Sequence, residues 1–395
     1  MKNTTSTGAL SESQFAALVD AMACDPDRRG QLTDLLREEN PLYGERGSAT
    51  IVRMRGWVLL AMARAGVSDA ALIFVLEELD TGTDAYLIAA AACALRSYPR
   101  PNAALAPFVM RALTNIRYRD EPVSFATYGE YAVSSTGKSA VLELLATLAW
   151  LGSHARGIVH ELELLRAEGG GLSTARRIDV ERALLAIRVA DEAANSSAHA
   201  CCGAPPDGAG NMSFRPSDSR GNSAPIASLV LEDHKGELIT FSEFFEGQPS
   251  IVAFFYTRCD NPMKCSLTIT KLARIQKMLE AQGLADRIRT AAITYDPTFD
   301  LPRRLRVYGR DRGLRMDEWH RILRATDDND TLRKHFELGV NFIESLVNRH
   351  RIELYIVDAK GRTAVSFERL HWDEQQVVIQ AIEVLKEKHP CSSSG

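Results

Sequence analysis

Apolar and polar positions alternate in two different rhythms along this chain, and the change falls near residue 200. From about Phe15 to Ala194, segments rich in Ala and Leu recur at helical spacing, broken by short Gly, Pro or Asp punctuation, with no competing strand pattern. The spacing predicts helices over 51–65, 69–79, 84–97, 103–116, 138–151, 158–167 and 174–193. Helices of this length with short connections stack as antiparallel pairs. Paired, they give a rough period in the thirties, within the range of α-solenoid repeats.

Beyond the change the pattern mixes strands with helices. Positions 229–231 and 238–241 flank Asp233, His234, Lys235 and Gly236 as a hairpin. The run Ile251, Val252, Ala253, Phe254, Phe255, Tyr256 shows no polar alternation, as a central parallel strand covered on both faces requires. A strand over 290–295, helices at 302–310 and 331–336, alternating Ile352, Leu354 and Ile356, a turn into 363–367 and a last helix at 374–386 complete a thioredoxin-like α/β sandwich. Between the two halves, 195–224 is dominated by Gly, Pro, Ser and Asn and reads as a flexible linker. The expected organisation is therefore multi-domain: an all-α domain over 1–194, a linker over 195–224, and an α/β domain over 225–390. The helical half resembles a HEAT-like array on pattern alone, since no residue motif recurs strictly from pair to pair.

Composition narrows the function classes. A chain of 395 residues with 45% hydrophobic and 25% charged content is an ordinary soluble globular protein with room for two or three domains. The formal net charge of -4 argues against a general nucleic-acid binder, and Arg303, Arg304 and Arg306 read as a solvated helix face. Seven cysteines are too few for a disulfide scaffold. The amino terminus lacks a secretory signal pattern and no stretch is apolar enough to span a bilayer, so the expected location is cytoplasmic, with thiols starting reduced. Cys24 and Cys93 read as small core residues, and His154 and His160 are too far apart to share a helical face. The irregular piece at 117–136, with Tyr118, Phe125, Tyr128 and Tyr131, reads as a contact site or as packing over a repeat edge.

The candidate chemistry gathers where the 250–256 strand ends. Cys259 follows the strand's carboxyl end, the edge at which open α/β sheets bind ligands. Asn261 suits a helix cap and Pro262 the first helical position, which puts Cys265 in the first turn, where backbone N–H groups favour a thiolate. Five residues separate the cysteines, so their sulfurs converge only if 259–261 is a loop. Read this way, Cys259 and Cys265 form either a redox pair or part of a metal site.

The segments FFEGQPSIVAFFYTRC, AAITYDPTFDLPRRLRVYG and NRHRIELYIVDAKGR, in that order and spacing, resemble the Sco/SenC family of thioredoxin-like copper proteins over 225–385. The resemblance implies one copper ion bound by Cys259, Cys265 and His350, with Asp296 and Pro297 beside the site, and a role in building the binuclear copper centre of cytochrome oxidase. Relatives of this kind are usually anchored to membranes outside the cytoplasm. The chain departs from the family in having five rather than three residues between the cysteines, with Asp260 and Ser266 where the family has prolines. Two thiolates and an imidazole are a soft, low-coordinate set suited to Cu(I), whereas structural zinc takes four protein ligands. The expected function is a copper chaperone or metallocentre-assembly factor with a protein partner that receives copper or electrons. The rivals are a thiol-disulfide oxidoreductase or peroxiredoxin-like enzyme using Cys259 and Cys265, and a helical scaffold that holds protein partners. Thioredoxin-type enzymes carry a proline ahead of the late strand, where this chain has Asn348, Arg349 and His350, which favours metal. In the linker, His199, Cys201 and Cys202 have no core to serve, and adjacent cysteines bond each other poorly. Cys201 or Cys202 is therefore expected to meet the Cys259 and Cys265 site, passing copper to it or resolving its disulfide.

Overall fold

Ser11 and Gln14 form a reciprocal capping box that opens the first helix, α1 (Glu12–Cys24). The computed structural model describes residues 10–125, 128, 138–197, 214–216 and 226–388, which belong to two units, 1–212 and 213–395. In the first unit the next helices are α2 (Ser48–Ala65), α3 (Asp69–Thr81), α4 (Ala85–Leu95), α5 (Ala106–Ile116), α6 (Ala140–Leu151), α7 (Val159–Arg166) and α8 (Thr174–Ser197). Ser68, Asp84 and Ser139 cap α3, α4 and α6 by accepting a backbone N–H from the first turn.

Helices α2, α4, α6 and α8 pack each on the next, α3, α5 and α7 do likewise, and the two rows meet through α3 with α4, α5 with α6, and α7 with α8. Within the first row, α2 meets α4 closely at Gly56, where a Cβ would lie 2.2 Å from the Tyr86 ring. Arg55 is fully buried in this unit and is held by Glu78 at 3.0 Å and Glu38 at 3.4 Å. Phe125 and Tyr128 pack against Tyr86 and Trp57, with ring centroids 6.4 and 5.8 Å apart, which makes this part of the 117–136 segment packing. Tyr118 is exposed, and Tyr131 lies outside the described residues. Cys24 is exposed rather than a core residue, because it ends α1 on the solvent side, while Cys93 is half-buried and burial pushes its thiol up. Among the described residues no helix is long and apolar enough to cross a membrane.

The second unit is built on one mixed sheet. Its strands are β1 (Phe214–Pro216), β2 (Val230–Asp233), β3 (Leu238–Thr240), β4 (Ser250–Phe255), β5 (Arg289–Thr294), β6 (His320–Ala325), β9 (Glu353–Val357) and β10 (Thr363–Glu368), and a separate hairpin joins β7 (Val340–Ile343) to β8 (Leu346–His350). The order is β1-β10-β9-β4-β5-β6-β2-β3, with β4, β5 and β6 parallel and the other neighbours antiparallel. Strand β4 lies in the middle with all six residues buried, as its unbroken apolar run requires. Helices α9 (Phe241–Phe245), α10 (Leu267–Ala281), α11 (Pro302–Asp311), α12 (Asn329–His335) and α13 (Glu374–Lys388) complete the unit, α10 packing on α13 and on β4, and α11 on β6.

Three expectations change. The segment expected as linker, 195–224, is not featureless: α8 runs on to Ser197, and Phe214–Pro216 pairs antiparallel with β10 at the sheet edge, where proline's missing N–H is tolerated. His199, Cys201 and Cys202 lie outside the described residues. Strand β9 is buried along its whole length rather than on alternate residues, because β4 and β10 flank it and its polar members are paired internally. Finally, β6 and the β7–β8 hairpin were not expected from the pattern. Arg321 and Arg324 sit within β6 by pairing with Asp233 and Glu232 on the neighbouring β2.

Candidate metal centre

Strand β4 stops where Thr257 turns away from the sheet, and Asp300 fixes that turn. The buried Asp300 carboxylate accepts the Thr257 N–H at 3.0 Å, the Thr257 hydroxyl, and the Thr294 hydroxyl at 2.5 Å. Burial pushes the Asp300 carboxyl up, and these three donors act against that rise. Arg258 then pairs with Asp296 and lies 4.0 Å over the Phe299 ring, so the chain leaves the strand in a fixed direction toward Cys259.

Asn261 caps the turn after Cys259, its side chain accepting the Met263 N–H at 2.9 Å, with Pro262 next. The expected first turn of an α-helix is instead a kinked turn, Pro262–Ser266, that leads into α10. Lys264 breaks the helical path with φ −108° and ψ −106°, and Cys265, the next residue, is buried. His371 holds the outside of this turn by donating from Nε2 to the Met263 carbonyl at 2.5 Å.

His350 arrives from the end of β8. Its Nε2 lies 3.6 Å from Cys259 Sγ and 3.5 Å from Cys265 Sγ, and the three ligand atoms are all within 4.8 Å of one another. Cys265 and His350 are buried and Cys259 is half-buried. His350 Nδ1 donates to the Arg351 carbonyl at 2.9 Å, which fixes the ring so that Nε2 is the nitrogen facing the sulfurs. The Tyr256 and Tyr295 rings pack on the imidazole with centroids 5.3 and 5.4 Å away.

Two charged groups that sequence reasoning missed hold this histidine. Lys264, buried, donates from Nζ to the His350 carbonyl at 2.8 Å and so links the cysteine turn to the hairpin. Arg351, also buried, bonds Glu353 at 2.6 Å and Glu368 at 3.0 Å, while Glu353 also accepts the Gly339 N–H at 2.8 Å and the Tyr295 and Tyr355 hydroxyls. The sequence signal for this network was Glu353 itself, a carboxylate opening an otherwise apolar strand two residues after an arginine. Lys264 gave none, since nothing in the sequence marks it as buried.

The two thiols do not titrate alike. Hydrogen bonding from Cys265 is the main cause that pushes Cys259 down to about 3, against burial and with help from His350. Burial first, then the hydrogen bond with Cys259 and its charge, hold the Cys265 thiol well above the usual range. Without metal the pair therefore shares one proton, as a thiolate at Cys259 and a thiol at Cys265. The donor set, two sulfurs and one oriented imidazole nitrogen, fits a soft metal ion. Of the residues singled out in sequence, Cys259, Cys265 and His350 come together. Asp296 stands beside them through Arg258, and His154 and His160 remain exposed and apart from the group.

A mixed sheet whose central strand ends in two thiols facing an imidazole defines a thioredoxin-like domain with a candidate metal centre. Residues 217–386 match the family model for SCO1/SenC. Among solved structures, copper-bound yeast Sco1 is 24% identical, with a TM-score of 0.34 over 41% of this chain and 89% of that one. Copper-bound Arabidopsis thaliana ScoI is 18% identical, with a TM-score of 0.34 over 40% of this chain and 96% of that one. A SCO1/SenC family lipoprotein from Bacillus anthracis is 17% identical, with a TM-score of 0.34 over 39% and 91%. No curated protein matches the chain.

Proposed function

We propose that the second unit binds one Cu(I) ion through Cys259, Cys265 and His350 and hands it to a protein partner, as a copper chaperone or metallocentre-assembly factor. The observation that carries this reading is His350 Nε2 held 3.6 and 3.5 Å from the two sulfurs, with the ring oriented by its Nδ1 bond to the Arg351 carbonyl. An imidazole fixed in that orientation is prepared for a metal, and the soft set favours Cu(I) over harder ions. Copper is cargo here. Cys259 offers a ready thiolate, Cys265 gives up its proton on binding, and the half-buried position of Cys259 leaves one ligand within reach of an exchanging partner. The match to the SCO1/SenC family model supports the same role, including service to cytochrome oxidase assembly.

The test is a Cu(I) titration of the full chain against a competing chelator, in a Cys201→Ser/Cys202→Ser background so that the linker thiols do not contribute. One tight equivalent is expected, lost in Cys259→Ser and in Cys265→Ser and weakened in His350→Ala. Unchanged stoichiometry in the cysteine variants would overturn the reading.

A second reading is supported by the shared proton of the cysteine pair: a thiol-disulfide oxidoreductase in which Cys259 attacks and Cys265 resolves. It takes precedence if metal-free protein reduces a disulfide substrate catalytically, and if that activity survives His350→Ala but not either cysteine change. For the first unit, the two interlocked rows of helices support a HEAT-like array that presents a surface to protein partners. The domain limits proposed with it are 1–194 and 225–390, with Phe214–Pro216 added to the second as its edge strand.

A further inference from the structure

The surface beside the cysteine turn is left incomplete by this chain's own side chains. Leu301 is 51% exposed and Val307 39% exposed, and together with the half-buried Tyr308 they floor an open pocket of about 520 Å³ along α11. Its rim carries Arg303, Arg304 and Arg312. Among the described residues, none of these three guanidinium groups is within ion-pair distance of a carboxylate. The acidic residue on the rim, Asp311, is taken by Arg310 at 3.0 Å. Arg304 is instead laid over the Phe299 ring at 3.9 Å and Arg312 over the Tyr308 ring at 3.4 Å. Stacked in this way, they have little rotamer freedom left to lose on meeting an anion.

The pocket adjoins the candidate metal centre through two covalent neighbours of the cysteines' segment. Thr257, two residues before Cys259, lines it, and Arg312 donates from Nε to the hydroxyl of Ser266, the residue after Cys265, at 3.1 Å. A chain with a formal net charge of -4 thus concentrates unpaired positive charge around an apolar floor at this one edge of its cysteine turn. Exposed apolar residues rimmed by charge mark a site for a protein partner, and the sign of the rim sets the sign of the partner.

We propose that this pocket docks an acidic segment of the protein that exchanges copper with Cys259, Cys265 and His350, an apolar side chain of the segment resting on Leu301, Val307 and Tyr308 while flanking carboxylates meet Arg303, Arg304 and Arg312. The proposal rests on the copper reading above for the partner's purpose, but its binding step is measurable without metal. The probe is a short fluorescein-labelled peptide alternating glutamate with leucine and phenylalanine, together with its glutamine counterpart, followed by anisotropy on the full-length protein. The glutamate peptide is expected to bind wild type and Lys277→Glu alike, since Lys277 is exposed on α10 and has no place in the pocket. It should bind Arg303→Glu/Arg304→Glu about tenfold more weakly, the loss two exposed ion pairs carry, and added salt should weaken it further. Copper stoichiometry in the double variant should match wild type. Equal binding by the double variant and Lys277→Glu, or equal binding of the glutamine peptide, overturns the docking surface whatever the copper titration gives. Retained copper in the cysteine variants overturns the copper reading and leaves the peptide result standing.

Discussion

Lys264 joins the two halves of the candidate metal centre with one hydrogen bond. Its ammonium is tied to the His350 carbonyl at 2.8 Å, and its backbone supplies the break just before Cys265. Lys264→Met keeps the stem that packs in the turn and removes the donor. The variant should still bind one copper, with affinity lowered about 10- to 100-fold, as for other outer-sphere partners of metal ligands. A competition titration that finds wild-type affinity would show that the hairpin holds His350 without it. At this scale the sequence displayed the candidate ligands and hid their supports. A cysteine after a buried strand and a histidine before another are visible as residue types in context. The burial of Lys264 and the pairing of Arg351 with Glu353 depend on a hairpin whose strands carry Asn341, Asn348 and Arg349, residues that give little strand signal.

Among the elements, the β7–β8 hairpin is positioned by close contact at Gly339. A Cβ there would lie 2.6 Å from both Cδ and Nε of Arg351, whose guanidinium is bonded to Glu353. Gly339→Ala should therefore lower the unfolding free energy of the second unit by about 1–3 kcal/mol, the usual cost of overpacking, with a further loss if the buried ion pair opens. Urea unfolding followed by tryptophan fluorescence reads this, and an unmoved midpoint would mean that Arg351 has room to shift. The elements most legible in sequence were those with a single rhythm, the helices of the first unit and β4. Strand β6 escaped because arginine at two of its six positions masks its apolar pattern, and only the carboxylates of β2, far away in sequence, explain their presence. Helix α1 was not among the predicted helices, although Ser11 and Gln14 have a capping-box spacing ahead of an apolar run. The kinked turn at 262–266 was not legible, because its cause is one backbone torsion pair at Lys264.

Over the whole molecule, the rhythm changes near residue 200 and the two units divide between 212 and 213, and Phe214–Pro216 shows that a polar, Pro-containing stretch still supplies an edge strand. The two units should respond differently to acid. His234, His320 and His335, all in the second, are pushed down by burial, and His320 Nε2 meets no hydrogen-bond partner among the described residues. Each binds its proton more readily when unfolded, where a histidine titrates near about 6.5. Their contribution to stability is thus fully present above that value and is lost as pH falls through the lower folded values. Urea midpoints for the second unit should drop between neutral and mildly acidic pH, and His320→Gln should flatten the drop. A midpoint that holds steady would mean that other groups compensate. The central claim, however, concerns which atoms hold the metal, and X-ray absorption at the copper edge of the Cu(I)-loaded full chain, with Cys201 and Cys202 changed to Ser, tests it most directly. Two sulfur scatterers and one imidazole nitrogen are predicted, with the imidazole signature lost and both sulfurs kept in His350→Ala. A shell of nitrogen and oxygen alone, or one unchanged in His350→Ala, would contradict the account.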